Sequence, residues 1–374
     1  GLLNQSSAQV IDGSLRFDSS KSQYLQRTFG SGNRQKYTWS GWVKKTKFGD
    51  WYGSLLMRTD ELRISNSEKL SFNDSGVTNL ESTGVLRDPS SFYHVVFKVD
   101  TTQDSGKIKG YINGVEFLND NASLGESANT DLNDAAVHYI GNGTSSRYAD
   151  YYLSQCYFID GQALGPKFFG FNDPLTGTWR PKKLKAGDTS FISDGTTWSS
   201  FSSTTLVSGS ALANAFNGNV SIDSNSTATS VSGDNTWTFS PTASLPVDNS
   251  LVVYVYPRAG TLTFKVNGVT ITTNTGNSFN RVDLSEAFKT AGNLDSLVIE
   301  SSGSGSYWMI TAIEIDGEIL TDSAVTVDFG TNGFYLPLDG NSPIGQDKSG
   351  QGNDWTPVNF GGSNTLEKAT GALP

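Results

Sequence analysis

One dipeptide class constrains this chain more than any other feature. Asn-Gly and Asp-Gly recur beside hydrophobic residues, at Ile11-Asp12-Gly13, Ile112-Asn113-Gly114-Val115, Ile159-Asp160-Gly161, Val266-Asn267-Gly268-Val269 and Ile315-Asp316-Gly317. Asn and Asp tolerate positive φ and glycine adopts it freely, which is what a type I′ hairpin asks of its two central residues. The flanks are β-branched and aromatic, as in Leu251-Val252-Val253-Tyr254-Val255-Tyr256 and Tyr93-His94-Val95-Val96-Phe97-Lys98-Val99. Such residues fit a pleated, half-buried surface. Short strands joined by tight turns predict an all-β fold, an antiparallel sandwich or jelly roll. Helix signal is confined to Asp283 through Ala291, where Asp283 and Glu286 fit a capping box and Gly292 a stop.

Such sandwiches need aromatic cores, and 8 Trp, 14 Tyr and 21 Phe supply them although only 36% of the chain is hydrophobic. The aromatic content sets the chain apart from disordered Ser/Thr/Asn-rich sequences. No apolar run is long enough for a membrane-spanning helix, so no membrane insertion is expected. The single cysteine, Cys156, excludes an internal disulfide and a Cys-based zinc site, and two histidines, His94 and His138, are few for transition-metal catalysis. A net charge of −10 argues against nucleic acid as a partner, because phosphate binding needs a basic footprint. The start at Gly1-Leu2-Leu3, without a legible signal peptide, suggests a processed chain or a fragment.

Composition shifts divide the chain into an N-terminal arm (1–13), an aromatic-rich jelly roll (14–199), an inserted second β-sandwich (200–322) and a return segment (323–374). That last segment is expected either to complete the first domain or to lead to a further one. Within the jelly roll, Trp39, Val43, Val95, Phe97, Tyr111 and Phe158 are expected structural residues. Phe334 through Gly340 reads as one edge strand.

The stretches Leu15-Arg16-Phe17-Asp18, Tyr37-Thr38-Trp39-Ser40-Gly41-Trp42-Val43-Lys44, Tyr93-His94-Val95-Val96 with Lys109 through Glu116, and Leu153 through Asp160 occur in an order that resembles laminin G-like, concanavalin A-like jelly rolls. A narrower resemblance is carried by Phe158 through Leu164, Thr178 through Lys182, Gly330 through Leu336 and Asp347 through Thr356. These are similar to tail-fibre and other virion surface proteins of marine bacteriophages, notably cyanophages. In those proteins the second and third of these segments lie close together, which implies that residues 200–322 are an insertion. The ending Ala312 through Leu320 is similar to that of galactose-binding-like insertions.

Chemistry-bearing residues are sparse. Paired acids for glycoside hydrolysis come nearest at Glu314-Ile315-Asp316-Gly317-Glu318, but Asp-Gly marks a turn that puts Glu314 and Glu318 on different strands. His94, His138 and Cys156 sit in strands and are expected to be packed. No cofactor is expected. Calcium is the one ion the resemblance raises, with Asp347 through Asp354 as the richest acidic loop. Sugar recognition needs aromatic faces for C–H surfaces and polar groups for hydroxyls. Trp51-Tyr52, Arg147-Tyr148 with Tyr151-Tyr152, and Tyr307-Trp308 offer such pairs, and Trp51, Tyr52, Arg147, Tyr148, Asp150 and Tyr151 are the ligand-binding candidates.

The phage resemblance implies a non-enzymatic virion surface protein, a tail fibre or capsid-attached appendage on the particle exterior. It would engage host cell-surface polysaccharide weakly and multivalently, and pack with other virion subunits as a homo-oligomer such as a trimer. The alternatives are a free carbohydrate-binding lectin and a polysaccharide-degrading glycoside hydrolase.

Overall fold

The computed structural model describes residues 9–49, 54–74, 78–120, 124–143, 147–190, 192–221, 228–258, 260–288, 292–303, 305 and 307–361. Among the described residues strands account for 44% and helix for 6%, so the fold is all-β. The chain divides into two compact units. The first comprises residues 1–102, 106–188 and 327–374; the second comprises 103–105 and 189–326. Composition placed the corresponding boundaries at 199/200 and 322/323.

The first unit is a sandwich of two antiparallel sheets. One runs in the order Leu15–Phe17, Tyr151–Asp160, Lys36–Lys45, Tyr93–Asp100, Ile108–Ile112 and Val115–Asp120. The other runs Thr356–Val358, Tyr24–Thr28, Val137–Ile140, Ser54–Met57, Glu61–Ile64, Lys69–Asp74 and Thr78–Val85. Strand alternation fills the space between them. Tyr37, Trp39 and Val43 point inward from one strand, and Val95, Phe97 and Val99 from its neighbour. Gly41 makes room for the Trp39 indole, since a Cβ there would lie 2.7 Å from the ring. All six expected structural residues are buried, Tyr111 outside the main core cluster.

Residues 327–361 complete this unit by adding a strand to each sheet. Phe334–Leu336 pairs with Tyr151–Asp160, and Thr356–Val358 pairs with Tyr24–Thr28. The edge of Tyr151–Asp160 is shared: Leu15–Phe17 takes its first half and Phe334–Leu336 its second. Between them the ladder to Lys36–Lys45 shifts register, with Gln155 held at φ 50°. The segment expected as one strand from Phe334 to Gly340 therefore stops at Leu336, and Leu338 turns at φ 52°.

Asn113-Gly114, Asn267-Gly268 and Asp316-Gly317 all turn with positive φ at both residues, as type I′ hairpins require. Asp12-Gly13 and Asp160-Gly161 do not form hairpins. Gly13 sits where a Cβ would be 2.8 Å from the Asp339 carbonyl oxygen, so it serves a close backbone approach. The Asp160 carboxylate accepts from Asn33 N (2.8 Å), Asn133 Nδ2 (2.5 Å) and Asn332 N (3.1 Å), which binds the return segment to the sandwich.

The second unit has two five-stranded antiparallel sheets around Trp237, Phe239, Phe264, Trp308 and Ile313. The expected helix at 283–291 is a single 3-10 turn, Ser285–Phe288, with Asp283 Oδ1 accepting from Ser285 N; residues 289–291 lie outside the described residues. Among the described residues no helix is long and apolar enough to cross a membrane.

The two ends of the first unit that flank the second meet as a backbone pair. Gly187 N donates to Val327 O and Val327 N to Asp188 O, both at 2.9 Å. Within the second unit, Val325 N donates to Ser193 O at 2.8 Å.

Candidate functional site

Arg147 and Tyr148 form a short strand paired with Asn142–Gly143, and both are half-buried. This hairpin folds onto the outer face of the second sheet, and it can do so because residue 143 is glycine. A Cβ there would meet Ser54 Oγ at 2.6 Å and Glu61 Oε1 at 2.7 Å. The approach sets the Tyr148 ring on Tyr24, with centroids 5.9 Å apart and planes 24° from parallel. Tyr24 in turn meets the Tyr139 ring edge-on at 5.9 Å. Leu25 and Ile140 point into the core, so alternation turns Tyr24 and Tyr139 outward, each half-buried.

None of the three phenol hydroxyls makes a hydrogen bond among the described residues. The same holds for the side chain of Gln26, which stands opposite Tyr139 in the ladder. Burial first, then the neighbouring Tyr148 and Tyr139, raises the Tyr24 phenol above its ordinary value, so it stays protonated at neutral pH. The face therefore presents aromatic carbon flanked by groups that can both donate and accept. Tyr148 was among the sequence candidates. Tyr24 and Tyr139 were not, because only strand register makes them neighbours.

The other candidates have structural employment or fall elsewhere. Tyr151 is fully buried, its ring 5.0 Å from Phe17 and its hydroxyl donating to Ser54 O at 2.8 Å, so no ligand can reach it. The Asp150 carboxylate accepts from Ser19 N (3.0 Å) and Ser19 Oγ (2.6 Å), which ties two loops together. Trp51 and Tyr52 lie outside the described residues. In the second unit Trp308 is core, whereas Tyr307 is half-buried with the Arg258 guanidinium 3.9 Å from its ring centroid.

The acid–base groups are packed. His94 lies 2.9 Å from Ser40 Oγ, a neighbour invisible in the sequence, but the Trp179 indole N–H donates to its Nδ1 at 2.9 Å. The ring proton must then sit on Nε2 and point at Ser40, so His94 cannot take the serine proton. Burial lowers its pKa to about 3. His138 stacks on Phe29 at 3.9 Å and accepts from Asn133 N, and burial lowers it to about 4. Burial pushes the Cys156 thiol far up, leaving it inert at neutral pH.

Two acidic clusters resemble hydrolase acids in composition only. Asp60 is raised to about 7, by burial first and then by Asp74 and Asp131 nearby, yet it is wholly inaccessible. Glu314 is buried and accepts from the Tyr254 hydroxyl at 3.1 Å. It lies on Tyr307–Ile315 while Glu318 lies on the next strand, as the Asp-Gly turn implied. Asp316 between them accepts from the backbone N–H groups of Asp248, Asn249 and Ser250.

The calcium reading of Asp347 through Asp354 finds its oxygens occupied. Asp347 Oδ1 accepts from Tyr335 N and Ser349 N, and Oδ2 from Ser349 Oγ and Asn353 N, all at 2.8–2.9 Å. These donors do the work a cation would do. Among the described residues no group of three His, Cys, Asp or Glu side chains is placed to hold a metal ion.

Residues 18–160 match the family model described as the Concanavalin A-like lectin/glucanases superfamily. Among solved structures, a native heptameric SAP-like pentraxin from Limulus polyphemus is similar at 15% identity and a TM-score of 0.32, covering 42% of this chain and 80% of the pentraxin. Trypanosoma rangeli sialidase is similar at 13% identity and a TM-score of 0.29, covering 36% of this chain and only 22% of the sialidase. Domains LG4-5 of the mouse laminin alpha1 chain are similar at 10% identity and a TM-score of 0.32, covering 99% of each chain. No curated protein sequence matches the chain. Over residues 18–160, then, the chain carries a laminin G-like domain of the concanavalin A-like superfamily.

Proposed function

We propose that this chain is a non-enzymatic glycan-binding protein that acts on the surface of a bacteriophage particle, as a tail fibre or capsid-attached appendage. The observation that carries the glycan reading is the half-buried face of Tyr24, Tyr139 and Tyr148, with unengaged hydroxyls and the Gln26 amide beside it. A pyranose presents C–H faces to such rings and hydroxyls to such groups. The lectin/glucanase description of the matching family supports the same class. The glucanase alternative lacks support, because the acid with a suitably raised pKa, Asp60, has no access to substrate. The phage assignment rests on the resemblance of segments on both sides of the second unit to phage surface proteins. Single sites on this face are weak, and clustered copies on one particle raise avidity by roughly 10²–10⁴.

The test joins binding, turnover and location. Purified protein is expected to bind bacterial surface polysaccharides on an array without releasing reducing ends. Tyr148→Ala and Tyr24→Ala should each weaken monovalent binding by about 1 kcal/mol, roughly fivefold in Kd. Retention of full affinity in both variants would remove this face from the reading, and reducing-end release would move the protein to the hydrolases. Antibody labelling in negative stain should decorate phage particles; a cellular, non-virion location would leave only the lectin.

A further inference from the structure

A second site is built around the turn between Glu61–Ile64 and Lys69–Asp74. An open hollow of about 300 Å³ is lined there by Phe48, Gly49, Asn66, Glu68 and Arg87. Its floor is the buried carboxylate of Glu68, which accepts from Gly49 N at 2.7 Å and from the buried Lys45 ammonium. The backbone holds this carboxylate firmly in place. Glu68 sits at φ 63°, donates its N–H to Ser65 O at 3.0 Å and accepts from Leu86 N at 2.7 Å. A non-glycine residue in the left-handed region, fixed on several sides, is the kind of strain that collects at functional sites.

The walls and rim have different chemistry. Phe48 is 38% exposed, a large apolar residue left open, with Lys45 Nζ 5.7 Å from its ring centroid. Arg87 is exposed and Asn66 half-buried, and neither side chain makes an ion pair or hydrogen bond among the described residues. Lys45 and Glu68 cancel, so Arg87 leaves the hollow with one positive charge in a chain whose net charge is −10.

We propose that this hollow is a subsite for a carboxylate-bearing sugar, a uronate residue of an acidic polysaccharide. Arg87 places its planar fork on the sugar carboxylate, the group it pairs with bidentately. Phe48 covers the C–H face of the ring. Glu68, its carboxylate fixed by Gly49 N and Lys45, takes a hydrogen bond from a ring hydroxyl and orients the sugar, and the Asn66 amide serves a second polar group. The inference rests on the glycan-binding reading of the first unit but uses none of its tyrosines.

The full chain is titrated calorimetrically with trigalacturonate, trimannuronate and the methyl ester of each, in which a methyl group on every carboxyl removes its charge. At least one acid is expected to bind about tenfold more tightly than its ester, with the preference shrinking in high salt. Arg87→Gln, at an exposed position, should bring acid and ester to equal affinity with an unchanged melting temperature. Phe48→Ala should weaken both forms. Equal affinity of acid and ester across the panel, or a preference that survives in Arg87→Gln, overturns the subsite. If neutral glycans still bind and lose affinity in Tyr148→Ala, the glycan reading stands without it. If no glycan of either kind binds, both fall together.

Discussion

Burial holds the two imidazoles neutral, and this makes stability depend on pH in a definite sense. In the unfolded chain they take up protons below about 6.5, whereas in the fold His94 waits until about 3 and His138 until about 4. Between these limits the unfolded chain binds more protons, so stability is lost as pH falls from 6.5 toward 4. Asp60 acts the other way. Its native carboxyl keeps its proton up to about 7, so its contribution is complete below the ordinary value of 3.8 and fades as pH rises through 7. The urea midpoint is therefore expected to fall between pH 6.5 and 4.5, and to fall more steeply in Asp60→Asn, which removes the opposing carboxyl. That window lies above the titration of Asp18 and Asp88, which are held low by hydrogen bonds from Ser20 and from Ser90 and Ser91. A shallower slope in Asp60→Asn would contradict the assignment. Trp179→Phe deletes the indole donor to His94 Nδ1 and leaves a buried acceptor, at a cost of about 1–3 kcal/mol by urea unfolding. The burial of His94 and His138 was legible from their places in strand patterns. The Ser40 and Trp179 partners were not, because they lie 54 and 85 residues away.

Turns and strands show where local chemistry suffices to specify structure and where it does not. Asn113-Gly114, Asn267-Gly268 and Asp316-Gly317 were readable because a type I′ turn is decided by its own two residues. Asp160-Gly161 carries the same signature, yet its carboxylate is claimed by asparagines 127 and 172 residues distant in sequence. The tyrosine face was half legible for a related reason. Tyr148 stands beside Arg147 and a turn, but Tyr24 and Tyr139 are isolated in their strands until register aligns them. The Asp316 turn offers a test at this scale. Asp316→Ala strips the acceptor from the N–H groups of Asp248, Asn249 and Ser250, a loss of roughly 1–3 kcal/mol. Hydrogen exchange at those three amides should accelerate markedly; unchanged protection would show that the loop is held by something else. Gly114→Ala is expected to be worse tolerated than a typical turn substitution. The residue sits at φ 81°, and its Cβ would lie 2.4 Å from the Trp179 ring, so a melting temperature equal to the parent's would refute that packing.

At the scale of the whole chain, the paired backbone of Gly187, Asp188 and Val327 makes the second unit removable. Joining Asp188 to Val327 through two or three glycines should preserve a cooperative melting transition and the glycan binding proposed for the tyrosine face, because insertions tolerate removal where their ends already meet. Stopping the chain at Thr326 instead should abolish that transition, since both sheets lose a strand and the core loses Phe334 and Trp355. Similar behaviour of the two variants would refute the role given to residues 327–361. Composition exposed the change of character near residue 200 but could not locate the closure, which depends on backbone pairing rather than residue type. The same closure imposes an order in time. On the ribosome, the strands from Leu15–Phe17 to Tyr151–Asp160 emerge while the two that complete their sheets are still unmade. The 173 residues from 161 to 333 must be synthesised before the first of the two, on the order of ten seconds at about 5–20 residues per second. Through that interval the nascent sandwich has an open edge on each sheet, and neighbouring nascent chains on a crowded polysome could pair with it before its own C-terminal strands arrive.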